Sequence, residues 1–499
     1  MKTVVIVVSL IFISLLLGSF ISSSHGESPL EKEKRVSNYM EGWVRDKNRN
    51  KIDDLLEQMY LSGKEENKKL HIYVDYLFKP KSEHLSQLAK FGNISYVCKY
   101  IPTVCMNDVS LSNISKIASL DDVVMVEKQP FYTTLLDVST PALKARESVD
   151  YSPKTAWERG YNGSGVNIAI LDTGVDDGHP SLEGSFIAGV DFTNPFGPRD
   201  GSDNPDDDNG HGTHVAGIAL GRGGGPNDPD HKLKGVAPGA GLIDVKVLTA
   251  LGSGWGENLI QALEWCQDNK DTEWEKAPSP DYYGIDVVSI SLGNGEDDDG
   301  KSADAREVNA TVDAGIVVVA ATGNNNGRAI NSPGSADRAI TVGAVDDKET
   351  ISRNDDTIWS GSNRGPRADD GDDDPYDELK PDVVAPGVKI NSCNYAVGGS
   401  QEPTTYVNRT GTSMATPHVA GLVAILLQAD PTLVPTPVEE GKNETDHNPI
   451  KAVLHETSEA RGTPSFPNLD PKYNTSYGWG IVDAYQAVHK VVDAPDLIV

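Results

Sequence analysis

The chain has 499 residues, of which 38% are hydrophobic and 24% charged, a composition typical of a soluble globular protein. This excludes a polytopic membrane protein and a largely disordered chain. The 74 Asp and Glu residues outnumber the 44 Lys and Arg residues, and the net charge of -30 repels nucleic-acid phosphates and anionic membrane surfaces. We therefore expect no nucleic acid as a partner and no stable membrane association.

Residues 1–26 have the pattern of an export signal. Lys2 precedes an apolar run from Val4 to Leu17, and small residues follow near position 26. The sequence thus predicts a signal peptide and a secreted, extracellular protein. Because the apolar run is slightly long, the alternative is a protein held by an N-terminal membrane anchor.

The chain has four cysteines, too few for a fold that depends on disulfides. Cys98 and Cys105 are close enough in sequence to form a local pair. Cys266 and Cys393 are expected to be buried free thiols. The stability of the fold must therefore come from its hydrophobic core.

Residues 27–65 form a charged segment that contains a candidate calcium loop. Oxygen-bearing side chains recur there at alternate positions and are closed by a glutamate, which is the ligand pattern of a loop around one Ca²⁺. Lys51 stands where such a loop usually has glycine, so the alternative is a solvated polar start of a helix. The predicted ligands are Asp46, Asn48, Asn50 and Glu57.

Residues 66–135 are predicted to form a small domain. Short apolar stretches and two helical stretches alternate there in the order β-α-β-β-α-β, which favours a ferredoxin-like α+β fold. The linker from Tyr132 to Thr140 is rich in Thr, Ser and Leu and has no strong periodicity. Such a linker is suited to proteolytic cleavage.

Residues 136–499 alternate apolar strands with amphipathic helices, which predicts a doubly wound parallel α/β sheet. The runs are apolar throughout, as expected for strands that are covered on both faces. The predicted strands are Val166–Leu171, Gly241–Leu248, Ile285–Leu292, Ile316–Ala321 and Ile340–Val345. Active sites of such sheets gather beyond the carboxyl ends of the strands, and three motifs are candidates for this position.

The first motif is Ala169-Ile-Leu-Asp172-Thr-Gly174, in which an apolar strand ends in a carboxylate. A buried carboxylate is costly unless hydrogen bonds or a cation satisfy it, so a partner must face Asp172. The alternative is a turn residue that caps the next segment.

The second motif is Asn209-Gly-His211-Gly-Thr-His214-Val-Ala-Gly217, in which a histidine opens a predicted helix. Imidazole is the natural general base at neutral pH, and a carboxylate can orient its second nitrogen. A zinc site made by His211 and His214 is disfavoured, because the H-E-x-x-H pattern needs a spacing of four residues and an intervening Glu.

The third motif is Gly411-Thr-Ser413-Met-Ala-Thr-Pro417, which precedes an apolar helical run. Ser413 falls in the first turn of this helix, where free amides favour developing negative charge. Pro417 lacks the N–H that would bond the Ser413 carbonyl, so the turn is predicted to be irregular. The alternative is a serine that only caps the helix.

In this order and these contexts, the three motifs resemble the signatures of the subtilisin-like serine proteases. The likeness extends over roughly residues 130–490 and includes Ser291-Leu-Gly293, Ala321-Thr-Gly-Asn324 and Tyr477-Gly-Trp-Gly. It implies a subtilisin-like fold and a secreted serine endopeptidase that acts on protein or peptide substrates.

The resemblance also implies roles for individual residues. Ser413 is the nucleophile, His211 the general base and Asp172 the residue that orients the imidazole. Asn324 is expected to stabilise the oxyanion through its side-chain amide. Two edges are expected to bind the substrate backbone as an added strand, Gly252-Ser253-Gly254 and Ser291-Leu292-Gly293.

The domain at residues 66–135 resembles the inhibitory propeptide of the family. The chain is therefore expected to be a self-processing zymogen whose catalytic domain spans residues 136–499. We expect the mature protein to begin between Tyr132 and Asp137.

Calcium is the expected structural cofactor, and a second candidate site lies just before His211. Acidic residues are dense from position 200 to 208, where some relatives hold calcium. The predicted ligands there are Asp200, Asp203, Asn204 and Asp206. The acidic loop from Arg367 to Glu378 is instead predicted to be solvated surface.

Two hints about specificity conflict. The segment Glu296-Asp-Asp-Asp-Gly-Lys301 resembles the acidic loop by which kexin-type processing proteases recognise basic residues. The linker, however, offers large apolar side chains for cleavage. We therefore favour a broad endopeptidase with an apolar or aromatic preference. The alternatives are a kexin-like processing protease and an inactive peptide-binding relative.

Overall fold

The computed structural model describes residues 46–61, 69–129, 131–134, 142–148, 151–193, 205–225, 228, 231–327, 330–372, 374–395, 406–437, 447–465 and 467–493. The predicted signal peptide and most of the predicted linker lie outside these residues. The described helices are α1 Asp54–Leu61, α2 Ser82–Leu88, α3 Ile114–Ala118, α4 His211–Leu220, α5 Gly256–Asp268, α6 Ala303–Asp313, α7 Thr412–Ala429, α8 Pro449–Thr457 and α9 Ala484–Asp493.

The described strands fall into four sheets. They are β1 Lys69–Tyr76, β2 Asn93–Val97, β3 Thr103–Ser110, β4 Val123–Lys128, β5 Phe131–Thr134, β6 Asn167–Asp172, β7 Phe186–Asp191, β8 Gly241–Lys246, β9 Ser253–Trp255, β10 Val287–Ile290, β11 Leu292–Gly293, β12 Val317–Ala321, β13 Ile340–Asp346, β14 Thr357–Ile358, β15 Val383–Pro386, β16 Ile390–Cys393 and β17 Tyr406–Arg409.

Residues 69–128, here called the N-terminal domain, form a four-stranded antiparallel sheet in the order β2-β3-β1-β4. Its elements follow the β-α-β-β-α-β order expected from the sequence. The buried side chains of β1, β3 and β4 pack on α2 and α3 to make a separate small core. Helix α1 joins this core through Leu56, and Ile52 forms a bridge to Val126 of β4.

The main sheet confirms the predicted doubly wound fold. Its strands follow the order β14-β13-β12-β10-β6-β8-β7, with β15 paired to β13, and all these pairs are parallel except β13 with β14. Alternate residues of β6 face opposite cores: Ile168 and Ile170 lie in the core beneath α4 and α7, whereas Ala169 and Leu171 lie in the core beneath α5 and α6. Helices on both faces explain why the strands are apolar throughout.

Helix α7 runs through the larger of these two cores. Among the described helices it is the one that is long and apolar enough to cross a membrane. However, 89% of its 18 residues are buried inside the protein. Its composition is that of a core helix, which has no polar face because neighbours surround it.

One sequence-based expectation about the fold needs correction, and two strands were not foreseen. The predicted pair of Cys98 and Cys105 is not bonded: their Sγ atoms lie 4.0 Å apart, and all four cysteines are buried and free. A disulfide requires an S–S distance near 2.05 Å. The strands β7 and β15 were not predicted, because their short runs mix glycine, proline or phenylalanine with small residues and carry weak periodicity.

Candidate active site

The end of β6 and the start of α4 bring Asp172 and His211 together. His211 Nδ1 lies 2.7 Å from Asp172 Oδ1, and the Thr173 amide donates to the same oxygen at 2.8 Å. Both side chains are fully buried. An imidazole that donates its Nδ1 proton to a carboxylate carries no proton on Nε2, which is the tautomer of a general base.

Glycine at two positions permits this close approach. A Cβ on Gly212 would lie 2.1 Å from the carbonyl oxygen of Gly174, so the first turn of α4 lies almost against the turn that follows Asp172. Gly174 itself has a φ of +94°, which favours glycine. The glycines around the two motifs therefore set the separation between the carboxylate and the imidazole.

A buried carboxylate that the sequence reasoning missed connects the same two turns. Asp207 Oδ1 accepts hydrogen bonds from the Thr173 hydroxyl at 2.9 Å and from the Asn209 and Gly210 amides. Its Oδ2 accepts from the amide and hydroxyl of Thr213 at 3.0 and 2.6 Å. Burial raises the pKa of Asp207, whereas these donors lower it. Asp207 therefore fastens the turn after Asp172 to the first turn of α4.

Ser413 lies in the first turn of α7, as its motif predicted. Its hydroxyl donates to the carbonyl of Ser291 at 3.0 Å, and the Ser291 hydroxyl donates back to the Ser413 carbonyl at 3.0 Å. This reciprocal pair fixes Ser413 to the end of β10. Pro417 lies inside the same helix, so the Ser413 carbonyl takes the Ser291 hydroxyl in place of an amide.

Asn324 follows β12 and contacts the residue before Ser413. Its Oδ1 accepts from the Thr412 amide at 2.9 Å and from the Thr412 hydroxyl at 3.0 Å. These two donors determine which side of the amide is oxygen. Nδ2 is then buried and has no hydrogen-bond partner among the residues that the structure describes. An unused donor next to a serine hydroxyl can stabilise an oxyanion that forms there.

The two predicted substrate-binding edges lie on either side of β5. Phe131, Tyr132 and Thr133 pair with Trp255, Gly254 and Ser253 of β9, and Thr133 and Thr134 pair with Gly293 and Leu292 of β11. Of the residues expected at these edges, Gly252 and Ser291 lie outside the paired strands. Gly252 belongs to a turn with a φ of +65°, and Ser291 contacts Ser413.

His214 has a structural environment. It is fully buried, and its Nε2 lies 3.0 Å from the carbonyl oxygens of Ile390 and Val407. Burial holds its pKa well below the usual range, so the ring is neutral. The contacts of Nε2 favour a proton donated to backbone carbonyls, which agrees with the expectation that His211 and His214 do not form a zinc site.

The first candidate calcium loop is held together by hydrogen bonds among its polar side chains and backbone amides. The side-chain amides of Asn48 and Asn50 donate to the two carboxylate oxygens of Glu57, and Asp46 accepts from the amides of Asn50 and Lys51. Lys51 adopts a φ of +66°, the conformation that glycine usually supplies in such loops. The structure thus brings the four predicted ligand residues together.

The second candidate calcium site is described only in part. Asp200, Asp203 and Asn204 lie outside the described residues, and Asp206 has an exposed side chain. Lys246 Nζ donates to the Asp206 carbonyl at 3.1 Å and to Asp208 Oδ1 at 2.7 Å. A lysine ammonium therefore already neutralises part of the negative charge just before His211.

The loop from Arg367 to Glu378 is not simply a solvated surface, which corrects the prediction. Arg367 is 2% exposed, and its Nη2 donates to carboxylates of Asp337 at 2.9 Å, Asp370 at 3.2 Å and Asp377 at 2.7 Å. The same three carboxylates have the spacing of a possible metal site. The guanidinium supplies the positive charge on which they converge.

Comparison with known proteins identifies the family. A family model described as "Subtilase family" matches residues 163–480. Serine protease AprX of Bacillus subtilis (strain 168) is 40% identical over an alignment of 326 residues that covers 62% of this chain and 67% of that protein. Subtilisin DY of Bacillus licheniformis is 32% identical over 298 residues, which are 58% of this chain and 86% of that protein.

The fold agrees with a solved structure. The crystal structure of fervidolysin from Fervidobacterium pennivorans, a keratinolytic enzyme related to subtilisin, superposes with a TM-score of 0.60 and 21% sequence identity. The match covers 85% of this chain and 61% of the fervidolysin chain. The names of the relatives do not favour the kexin-type alternative. The chain therefore belongs to the subtilase family and is a subtilisin-like serine endopeptidase.

Proposed function

We propose that the chain is the secreted precursor of an endopeptidase that uses Asp172, His211 and Ser413 as its catalytic triad. Ser413 attacks the scissile carbonyl, His211 takes its proton and returns it to the leaving amine, and Asp172 stabilises the imidazolium. The Asn324 amide and the Ser413 N–H stabilise the oxyanion. The observation that carries the proposal is the contact between Asp172 and His211. The chain also pairs its own β5 strand with β11, which directly follows Ser291, the residue whose carbonyl accepts from the Ser413 hydroxyl.

The N-terminal domain acts in this proposal as an intramolecular inhibitor. Strand β5 follows it directly and fills the cleft between β9 and β11, where a substrate strand would bind. The domain also packs on α5 and α6, and its Cys98 and Ile101 share a buried cluster with Ile260 and Ala303. A strand held in the cleft by a docked domain excludes other substrates.

The register of β5 supports one processing bond. Thr133 is opposite Gly293 and Thr134 is opposite Leu292, the residue after Ser291. Because the Ser413 hydroxyl contacts the Ser291 carbonyl, β5 ends at Thr134 close to the nucleophile. Leu135 and Leu136 lie outside the described residues. We infer that self-processing cuts between them.

A start of the mature protein at residue 147 is disfavoured by contacts of the residues before it. Lys144 Nζ forms an ion pair with Asp483, and the Arg146 guanidinium donates to the carbonyl of Lys232. These contacts hold Lys144 and Arg146 on the catalytic domain, away from the cleft in which β5 lies.

The contacts of the acidic loop at residues 296–301 also support a broad cleavage specificity over a preference for basic residues. Asp298 and Asp299 are buried, and Asp298 accepts from the Gly300 amide and the Ser335 hydroxyl. Carboxylates used inside the protein attract a substrate cation weakly. We therefore keep the apolar or aromatic preference as the proposed specificity.

Calcium binding at the loop of Asp46, Asn48, Asn50 and Glu57 is part of the proposal. Bound Ca²⁺ would supply a structural cross-link between the loop and α1, because these side chains already converge. The loop is tied to the N-terminal domain by the Val126 amide, which donates to the Lys51 carbonyl at 3.0 Å. Occupancy is therefore expected to stabilise the precursor.

The test of this function compares the wild-type chain with Ser413→Ala by intact mass and N-terminal sequencing. We expect the wild type to be cut to a mature form that begins at Leu136 and the variant to stay full length. Thr416→Ala, the loss of one hydroxyl in the same helix that leaves the nucleophile in place, is the control for folding. A Ser413→Ala chain that matures when purified alone, or a mature start after Arg146 with cleavage confined to basic residues, would overturn the proposal.

A further inference from the structure

The turn that carries Asn324 is held by a segment far away in the chain. This turn comprises residues 322–327, here called the oxyanion turn, and it follows β12 directly. Segment 361–364 lies beside it, and the Asn363 amide donates to the Gly323 carbonyl at 2.9 Å. The main chain just before Asn324 is therefore tied to a segment that is distant in sequence.

The side chain of Asn363 contacts the oxyanion turn on both sides of Asn324. Asn363 is fully buried. Its Oδ1 accepts from the Asn325 amide at 2.7 Å, and its Nδ2 donates to the Thr322 carbonyl at 3.2 Å. Because an amide carries its acceptor and its donors in one rigid plane, a single side chain sets the distance between these two points of the turn.

A second buried asparagine packs against the same turn. Oδ1 of Asn331 accepts from Asn363 Nδ2 at 3.2 Å, and its Nδ2 donates to the Glu296 carbonyl at 2.8 Å. A Cβ on Gly323 would lie 2.0 Å from Asn331 Oδ1 and 2.5 Å from Asn363 Nδ2. The two amides therefore lie directly against the residue that precedes Asn324.

These contacts complement those that hold the Asn324 side chain. The amide and hydroxyl of Thr412 fix Asn324 Oδ1, and the same hydroxyl accepts from the Gly323 amide at 3.3 Å. The direction of Nδ2, however, also depends on the main chain to which the side chain is attached. Since an oxyanion donor is effective only when it is in place before charge develops, the position of the turn bears on the rate.

We propose that Asn363 is a positioning residue for the reaction: it fixes the oxyanion turn, so that Nδ2 of Asn324 is held ready for the oxyanion that forms at Ser413. The proposal rests on the proposed role of Asn324, and Asn363 itself touches no reacting atom. None of the contacts described for Asn363 involves the substrate edges at β9 and β11. Its effect is therefore expected in kcat rather than in KM.

The experiment is a double-mutant cycle on the mature enzyme, prepared from the full chain after self-processing is complete by intact mass. It compares the wild type, Asn363→Ala, Asn324→Ala and the double variant in steady-state kinetics with one peptide substrate. We expect Asn363→Ala to lower kcat by about 10–100-fold and to change KM by less than about threefold. In the Asn324→Ala background the same substitution should lower kcat by less than about threefold, because the group through which it acts is gone.

Asn167→Ala is the matched control for the loss of a buried amide. Asn167 is also fully buried, and its Nδ2 donates to the carbonyls of Gly284 at 2.9 Å and Tyr283 at 3.3 Å. It lies at the start of β6, whereas Asp172 lies at the end of that strand. We expect both alanine variants to have a lower melting temperature than the wild type, but Asn167→Ala to keep the wild-type kcat.

Asn363→Asp decides the question if Asn363→Ala does not fold. It has nearly the same shape and keeps an oxygen for the Asn325 amide, but as a carboxylate it cannot donate to the Thr322 carbonyl. We expect a loss of about tenfold in kcat, again absent in the Asn324→Ala background.

Equal losses of kcat in the wild-type and Asn324→Ala backgrounds would overturn the inference. So would a variant at Asn363 that loses stability but keeps its kcat, or one whose change is confined to KM. An Asn324→Ala enzyme with the wild-type kcat would instead contradict the proposed role of Asn324 itself.

Discussion

Asp207→Asn is the substitution that best separates a positioning role from a direct catalytic one. Asp207 touches no reacting atom in the proposed mechanism, yet it accepts five hydrogen bonds from the turns that carry Asp172 and His211. Asparagine has the same shape but only one acceptor oxygen. The NH₂ group of the asparagine must therefore face hydrogen-bond donors. These are either the two donors of Thr213 or the donors of Thr173, Asn209 and Gly210.

The size of the effect follows from this count. If the amide oxygen takes the place of Oδ1, the two bonds from Thr213 at 3.0 and 2.6 Å are lost. A hydrogen bond to a charged group contributes about 1.5–3 kcal/mol. Loss of the buried charge offsets part of this, because burial opposes ionisation of Asp207. We expect a net loss of about 2–4 kcal/mol in unfolding free energy.

Activity should fall through kcat. A displacement of His211 by about 1 Å costs about 100-fold in rate, whereas the substrate edges at β9 and β11 are untouched. Thermal unfolding and steady-state kinetics of the mature enzyme measure the two effects. The neighbouring Asp208→Asn is the matched control, because that side chain is exposed and contacts only Lys246 among the described contacts. A change in KM alone, or equal effects of the two substitutions, would refute the reasoning.

Three further predictions concern the oxyanion, the approach of the two turns and calcium. Asn324→Ala removes the unpartnered Nδ2, so kcat should fall by about 10²–10³ with little change in KM, the loss known for the matching residue in subtilisin; unchanged kcat in steady-state assays would contradict the assignment. Gly212→Ala should give a protein that is inactive or does not fold, because its Cβ would lie 2.1 Å from the Gly174 carbonyl oxygen, and circular dichroism with an activity assay checks this. Calcium at about 100 times its Kd should raise the unfolding free energy of the precursor by about 2.7 kcal/mol. The Glu57→Gln precursor should have the same melting temperature in calcium and in chelator. Equal melting temperatures of the wild-type precursor in calcium and in chelator would argue against the site.

The sequence predicted the main sheet well, because its strands are covered on both faces and therefore apolar throughout. The runs around Ile168, Ile243 and Val319 carry this signal without interruption. Shorter strands such as β7 and β15 lack it. Motif residues were also predictable, since Asp172, His211 and Ser413 each sit at a change from strand or loop to the next element.

The contacts between distant segments were not predictable. Asp207 is one of three consecutive aspartates, and nothing local marks it as the buried one. Arg367 likewise lies in an acidic stretch that is typical of solvated surface, and only the fold brings Asp337 to it. The docking of β5 between β9 and β11 depends on three segments far apart in the chain. Such features are set by tertiary packing, which local patterns do not encode.

Covalent labelling of the mature enzyme tests the central claim most directly. A fluorophosphonate reacts with a serine that is activated by a general base and transfers its phosphonyl group to that oxygen, with loss of fluoride. Peptide mapping by mass spectrometry should find one modified residue, Ser413, with loss of activity in proportion to labelling and no labelling of the Ser413→Ala chain. Stoichiometric labelling of any other serine, or full peptidase activity in a completely modified enzyme, would contradict the account.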